Sequence, residues 1–365
     1  NWKTKSAKGW GRLDMTSELS DLCYFADGRV AVANLDLDTY ISTENMLPNK
    51  EGITRSAGLP TVSQTQAYQT DDVLVSNIRP YFKKIWFADR DGGCSNDVLV
   101  LRAKGGCNPG FLYYLLSDDN FFDYATATAK GTKMPRGDKG AIMRYEVPDL
   151  PIDVQIGIAD TLSALDARIA ENRAINHHLA QIAQAIFTEF CSDGSPAVLS
   201  DILTVCYGKD HKRLGNGSIP CYGSGGIMRY VDKPLYTGES VLIPRKGSLN
   251  NVLYVNEAFW TVDTMFYTQM TRPNVAKLAY FIVRNLDLAG MNVGSAVPSM
   301  TTSVLNSLEI VLPSDETLTS FEETISPMFL QMQANNEESD RLAELRDTLL
   351  PRLMSGELSV VDLSR

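Results

Sequence analysis

Apolar or seam-type side chains recur at positions 158, 162, 165, 169, 172, 176, 179, 183, 186 and 190, in alternating steps of four and three. That spacing predicts one long helix over 152–190 with a coiled-coil seam, interrupted near its middle by Asn172 and Asn176. A second long helix is predicted over 315–354, with Leu318, Phe321, Ile325, Met328, Met332, Leu342, Leu345 and Leu349 on the seam and Asn335 in the middle. Ser314, after Pro313, is placed to cap it, with Thr317 three residues on. Pro327 falls inside the pattern and should kink that helix or delay its start. Elsewhere, short apolar runs predict strands at 73–76, 84–88 and 97–102, and again at 240–243, 252–255 and 264–269. Each set is followed by one helix-like stretch, 109–123 or 275–286.

These two sets are halves of a repeat. Leu19-Ser-Asp-Leu22 returns as Leu199-Ser-Asp-Ile202, offset by 180. Asp72-Val-Leu-Val75 returns as Ser240-Val-Leu-Ile243, offset by 168. Gly131-Thr-Lys-Met-Pro135 returns as Gly294-Ser-Ala-Val-Pro298, offset by 163, and the offset then stays near 163 through both long helices. Loops of unequal length followed by a helix of fixed length produce that behaviour. Each half is therefore a mixed α/β (α+β) domain plus one long helix. The boundaries fall at 1–150, 151–192, 193–312 and 313–357, with a tail at 358–365. The chain must run out along one helix and back along the other, so the two should pair antiparallel. A helix of ~38 residues spans about 57 Å and would hold the two domains apart, with seam Asn fixing register.

The net charge of −10 argues at first against nucleic acid. Its distribution changes the picture: the four segments carry net −1, −3, +1 and −7, so the acidity sits on the two helical segments. Within the near-neutral domains the cations cluster. Arg79, Lys83 and Lys84 surround Tyr81 and Phe82; Lys130, Lys133, Arg136, Lys139 and Arg144 face one Asp138; Lys209, Lys212 and Arg213 flank His211. Local clusters matter because salt screens charges beyond about 10 Å. Six scattered cysteines without C-x-x-C spacing fit a reduced cytoplasm rather than a zinc cage. No apolar run approaches a membrane span, and the polar, basic first ten residues do not read as a signal peptide.

The candidate chemistry is that of a nucleic-acid surface. Arg79, Tyr81, Lys83 and Lys84 combine cations with aromatics after a strand, where Arg can fork onto guanine and Lys or Tyr can hold phosphates. Lys130, Lys133 and Arg136 enclose flexible Gly131 and rigid Pro135, as suits a loop laid on a duplex. Its repeat partner 294–298 has no cations, so the two domains should meet DNA differently. In the second domain the candidates are Lys209, His211 and Lys212, the tight Tyr222–Ser224 loop before Gly225-Gly226, and Arg245 with Lys246 at a strand end. Gly223-Ser-Gly-Gly226 lacks the GK[ST] continuation of a nucleotide loop. Asn108-Pro-Gly-Phe111 lacks the second proline of a base-flipping methyltransferase pocket and reads as a turn opening a helix. Pro148-Asp149 with Asp153 hints at a nuclease core, but Val154-Gln155 replaces the required acid-x-Lys.

Over nearly its whole length the chain resembles the specificity subunit of Type I restriction–modification enzymes. The resemblance rests on Asp72 to Lys84, Gly131 to Arg136, Leu150-Pro-Ile-Asp-Val-Gln155 running into Ile158 to Asp166, and Ala180 to Phe187. In the second half it rests on Ile219 to Gly226, Ile243 to Ser248, and Leu349-Leu-Pro-Arg-Leu-Met-Ser-Gly356. Ser314-Asp-Glu-Thr departs from the pattern, since it lacks the Gln found at 155. The resemblance implies two target-recognition domains on two spacer helices, each reading half of a bipartite site in double-stranded DNA. It implies two adenine methyltransferase subunits docked on the helices, translocating restriction subunits outside them, and no membrane. It implies no catalytic residue, metal or cofactor in this chain, S-adenosylmethionine being bound by the methyltransferase, in a bacterial or archaeal cytoplasm close to the nucleoid. The spacer and partner seam would comprise Leu162, Leu165, Ile169, Asn172, Leu179 and Ile186 of the first helix, with Ile325, Asn335, Leu342 and Leu349 of the second. The rival readings are a coiled-coil scaffold without a DNA role, a self-contained methyltransferase or nuclease, and the specificity chain of a Type IIB-like enzyme.

Overall fold

The computed structural model describes residues 16–190, 192–291 and 299–360. The 294–298 repeat segment, the basic start of the chain and most of the tail lie outside them. The chain divides into two compact units, one of residues 1–172 with 337–365, the other of residues 173–336.

In the first unit, strands Cys23–Phe25, Val98–Ala103, Val73–Ser76 and Ile85–Phe87 form an antiparallel sheet in that order. A second sheet orders Arg29–Ala31, Gln64–Tyr68, Gly92–Cys94 and Tyr40–Ile41, the last pair parallel. The continuous apolar run at 73–75 follows from this layering. Val73 and Val75 enter a core with Phe111, Leu115 and Phe122 of the helices, while Leu74 points the other way onto Tyr68, Trp86 and Cys94. The helix expected over 109–123 is two helices, Pro109–Ser117 and Asp119–Ala127. The run Ser117-Asp118-Asp119-Asn120 supplies a cap in mid-sequence, and Asp118 breaks the helix by accepting from the Asn120 N–H at 2.8 Å.

The second unit carries one six-stranded sheet in the order Leu203–Tyr207, Met265–Met270, Tyr236–Pro244, Leu253–Thr261, Ile219–Gly223, Gly226–Val231. Val241 and Ile243 pack on Leu278 and Phe281 of helix Ala276–Arg284, and Leu242 packs opposite with Phe259 and Tyr267.

The repeat is realised atom for atom where each domain begins. The Glu18 N–H donates to Asp21 Oδ2 at 3.0 Å, and the Val198 N–H donates to Asp201 Oδ2 at 2.9 Å. The next residues, Leu19 and Leu199, donate to the carbonyls of Tyr145 and Leu308 at 2.8 and 2.9 Å. Each entry strand pairs antiparallel with the exit strand of its own domain, Thr16–Glu18 with Glu146–Pro148 and Ser195–Val198 with Glu309–Leu312.

From each exit strand the chain enters a long helix, Ile152–Phe190 or Asp315–Met354. In the first unit Ile158 and Leu162 share a core with Leu349, Leu350 and Leu353, and Leu165 packs against it. There Arg168 pairs with Glu338 at 3.0 Å and Asp166 with Arg346 at 2.6 Å, so rising numbers on one helix meet falling numbers on the other. In the second unit Ala183 joins Leu318, Phe321 and Ile325, and Phe187 stacks on Phe281. Ser314 accepts from the Thr317 N–H at 3.2 Å, the expected cap. Pro327 does not delay the helix, which begins at Asp315; it sits exposed, where the Glu323 carbonyl that loses its N–H partner can meet water. One seam expectation fails. Leu345 turns outward, 46% exposed, because its neighbour Arg346 takes the inward position against Asp166.

Candidate nucleic-acid interface

In the first unit the two cationic segments come together through their backbones. The Arg79 N–H donates to the Pro135 carbonyl at 2.8 Å, and Gly137 donates to Asn77 at 3.0 Å. Lys130 and Arg136 exchange a reciprocal pair at 2.8 and 2.9 Å, closing a loop that Gly131 turns at φ 98°. Pro80–Phe82 form a single 3-10 turn between Arg79 and Lys83, both at φ 51°. Left-handed backbone at such residues costs on the order of 1 kcal/mol each.

The side chains are more neutralised than their spacing suggests. Lys83 and Lys50 both bind Asp119, at 2.9 and 2.8 Å. Arg136 binds Asp97 at 2.9 Å, and Lys130 binds Asp138. Asp119 and Asp97 come from distant sequence, so the runs at 79–84 and 130–144 looked less opposed than they are; Asp138 is the one carboxylate within the second run. Lys84 is turned inward rather than outward. Its Nζ donates to the Thr43 carbonyl at 2.6 Å, and burial holds its pKa below the usual lysine value. Lys133 is exposed and has no carboxylate partner among the described residues. Tyr81 and Phe82 are exposed, 48% and 39%, with ring centroids 4.8 Å apart. The pairs on this surface are partly solvated and therefore weak, so a phosphate could compete for these cations.

In the second unit the Ser224 carbonyl accepts from Asn251 Nδ2 at 2.9 Å, joining the 223–226 turn to the loop that begins at Arg245 and Lys246. Arg245 lies over the Tyr207 ring, 5.2 Å to its centroid, and donates to the Asp263 carbonyl at 3.2 Å. The ring contact and the Asp263 bond together restrain the guanidinium. Lys246, Lys209 and Lys212 are exposed. The Lys209 backbone is anchored by Thr261 and by the Trp260 indole at 2.8 and 3.0 Å. His211 is half-buried, with Nδ1 unpartnered. Tyr222 is a correction. It lies in the core, 8% exposed, because its ring packs edge-on to Phe259 and its hydroxyl donates to Glu257 at 2.8 Å. Burial and the Glu257 carboxylate together raise its pKa.

Several surface residues were not picked out from the sequence. Tyr207 carries Arg245, and Ile227, Met228 and Tyr230 stand exposed on edge strand Gly226–Val231. An apolar run without alternation in an edge strand was the available signal. Arg229 in the same strand is turned back to the carbonyls of Leu214 and Gly215.

Leu162, Ile169 and Asn172 are buried and Leu165 half-buried in the first unit, with Leu342 half-buried and Leu349 buried opposite. Leu179 and Ile186 are half-buried in the second unit, with Ile325 and Asn335 buried. Asn172 Nδ2 donates to Glu338 at 2.8 Å, and Asn335 Nδ2 donates to Asn176 Oδ1 at 2.8 Å. Gln155, whose counterpart the second helix lacks, is buried at the start of the first; it accepts from the Asn108 N–H at 2.9 Å and donates to the Leu150 carbonyl at 2.8 Å. Asn108 caps the Pro109 helix, as its sequence suggested. Among the described residues no group of three His, Cys, Asp or Glu is arranged to hold a metal, and no helix is long and apolar enough to cross a membrane.

Residues 199–343 match the family model described as the Type I restriction modification DNA specificity domain. The HindI specificity subunit of Haemophilus influenzae is 28% identical over 142 residues, 38% of this chain but only 26% of that protein. The MjaIX specificity subunit of Methanocaldococcus jannaschii is 23% identical over 308 residues, 71% of each chain. The crystal structure of the Type I restriction–modification S subunit from M. genitalium aligns over 93% of this chain and 96% of its own, with a TM-score of 0.60 and 17% identity. The chain thus has the mixed α/β fold of an S subunit with two long helices, and its resemblance to Type I specificity subunits is found by sequence and by fold.

Proposed function

We propose that this chain is a DNA-specificity subunit that reads a bipartite target in double-stranded DNA and assembles modification and restriction subunits around it. The observation that carries this is the match of residues 199–343 to a DNA specificity domain, together with the recurrence of the same entry turn and entry–exit ribbon in residues 16–148. The two candidate surfaces differ in chemistry, as two half-sites of different sequence require. One presents Tyr81, Phe82 and Lys133 on clasped loops; the other presents Arg245 on Tyr207 beside Lys246. Phosphate contacts would set position and the restrained arginine would read a base edge.

In this reading the chain carries no catalytic centre. Two methyltransferase subunits, which bind S-adenosylmethionine, dock on the long helices, and restriction–translocase subunits join outside them. The exposed carboxylates of Asp315, Glu316, Glu323, Asp340, Glu344 and Asp347 on the second helix ask for a basic partner face. The site of action is the bacterial or archaeal cytoplasm.

The test is co-expression with a neighbouring methyltransferase subunit and mapping of adenine methylation by single-molecule sequencing. A two-part motif with an unspecified gap is the expected result. A complex that forms without any motif removes the DNA-reading role and leaves a scaffold. Cleavage on both sides of the motif by the same complex assigns the chain to a Type IIB-like enzyme.

A further inference from the structure

Four of the six non-glycine residues with positive φ among the described residues meet at one place. Asn49 and Lys50, at 54° and 65°, face Arg79 and Lys83, both at 51°. The Asn49 N–H donates to the Phe82 carbonyl at 2.8 Å and the Lys50 N–H to the Lys83 carbonyl at 2.9 Å. Lys50 and Lys83 close the clasp by sharing Asp119, and Lys84 is pinned to Thr43. Buried Pro80 fixes the base of the turn. Glycine would adopt the backbone of positions 79 and 83 without strain; Arg and Lys adopt it because the surroundings impose it. What this over-determined clasp presents is a pair of aromatic rings, Tyr81 and Phe82, projecting into solvent. Rigid support of an exposed apolar tip serves contact with something outside the chain.

The adjoining surface says what that is. The turn is hydrogen-bonded to the Pro135 carbonyl, in the loop that exposes Lys133 and Met134, and Arg79 at its base has a buried Nε without a partner. Two flat rings flanked by cations on a surface read as a DNA interface match the wedges with which proteins unstack a base step. We infer that Tyr81 and Phe82 form an aromatic wedge that enters the base stack of the half-site read by residues 16–148. This rests on the DNA-reading proposal. The wedge unstacks one step of the duplex, and the clasp keeps the rings from folding back when they leave water.

The test uses the full chain co-purified with its methyltransferase subunit. The probes are duplexes of the mapped motif with 2-aminopurine replacing single adenines along both half-sites, the methylated adenines excepted because the methyltransferase flips those out itself. Unstacking raises the emission of that base. The expected result is a several-fold rise at one step of one half-site, abolished by the double variant Tyr81→Ala/Phe82→Ala and retained by Tyr81→Phe, with an unchanged melting curve for both proteins. Specific binding with no rise in the wild-type complex overturns the wedge and leaves the DNA reading standing. Absence of any sequence-specific binding overturns the DNA reading, and the wedge falls with it. Loss of the methyltransferase subunit on purification of the double variant overturns the wedge in favour of a protein-docking tip.

Discussion

Arg346 donates from Nη1 to Asp166 Oδ1 at 2.6 Å, and the same carboxylate takes the Tyr114 hydroxyl on Oδ2 at 2.7 Å. Asp166 therefore ties the second long helix to the first, and the first to helix Pro109–Ser117, within one unit. Both charged side chains are about three-quarters covered, so removing one strands the other in poor solvent. Asp166→Ala is expected to lower the stability of this unit by about 2 kcal/mol, a figure discounted for the solvent that still reaches the pair. Leu345→Ala, one turn-position away but pointing outward, is the control and should cost almost nothing. Thermal unfolding of the two variants side by side checks this, read from the first transition because a chain of two units need not unfold in one step. Equal losses would mean that the ion pair contributes nothing specific.

The second unit makes a different use of polar groups in its seam. Asn335 Nδ2 donates to Asn176 Oδ1, Asn176 Nδ2 donates to Asn336 Oδ1 at 2.8 Å, and Gln331 donates to Asn335 Oδ1 at 2.7 Å. Asn176→Leu alone removes the Asn176–Asn335 hydrogen bond from the buried seam and should cost about 1 kcal/mol. Asn176→Leu combined with Asn335→Leu should recover most of that loss, since two apolar residues fill a helix seam well, while weakening the fixed register. Denaturant melts of the single and double variants supply the coupling energy. Additive losses would contradict a shared hydrogen bond.

The long helices were legible because a seam repeats over ten turns and each position reinforces the next. The internal repeat was legible for the same reason, with Asp21 and Asp201 turning out to make one and the same backbone bond. The single positions failed where a partner from far along the chain decided the outcome. Leu345 has the apolar character of a seam residue, but Arg346 has Asp166 waiting for it. Tyr222 lies beside a surface turn in sequence, yet its ring packs into the core against Phe259 and Glu257 on the neighbouring strand accepts from its hydroxyl. The cations at 83 and 136 cluster in sequence with others, and only the fold brings Asp119 and Asp97 to them. Lys277 was likewise hidden. It sits buried inside helix Ala276–Arg284, held by Glu239 at 3.0 Å and Glu322 at 2.5 Å.

Acid should open one loop of the candidate interface before the core. Asp138 pairs with Lys130 and also accepts from the Ala141 N–H at 3.0 Å, capping helix Lys139–Met143. The lysine bond, then the backbone bond, pull its pKa down from 3.8 to about 2. A carboxylate whose pKa is depressed by folding stabilises the folded form above its unfolded value and loses that contribution as the pH falls. The window here is from about 4 down to about 2. Amide exchange at Ala141 and Ile142 should accelerate across that window beyond the intrinsic pH trend, while amides of strand Val73–Ser76 stay protected. Asp138→Asn should remove the acid sensitivity, as it keeps a cap but cannot titrate. An Ala141 amide that follows the intrinsic trend in both proteins would remove Asp138 from this role.

The neutralisation of most cations makes the DNA-contact variants distinguishable. Lys133 is exposed without a carboxylate among the described residues, so on DNA it can release counterions at no internal loss. Lys133→Ala should weaken binding of all sequences alike and reduce the slope of log K against log salt by about 1. Arg136 must first leave Asp97, and Arg136→Ala should therefore change affinity less than Lys133→Ala. Arg245 is restrained by Tyr207 and is poised for a bidentate base contact, so Arg245→Ala should cost about 1–3 kcal/mol on the specific site only and relax the motif at one position. Tyr207→Ala should produce part of that loss through the freed guanidinium. Titrations of the methyltransferase complex at several salt concentrations, on specific and scrambled duplexes, separate the three behaviours. An Arg245 variant that weakens both duplexes equally would make that arginine a phosphate contact, and the base reading of the second domain would then have to come from the exposed strand carrying Ile227, Met228 and Tyr230.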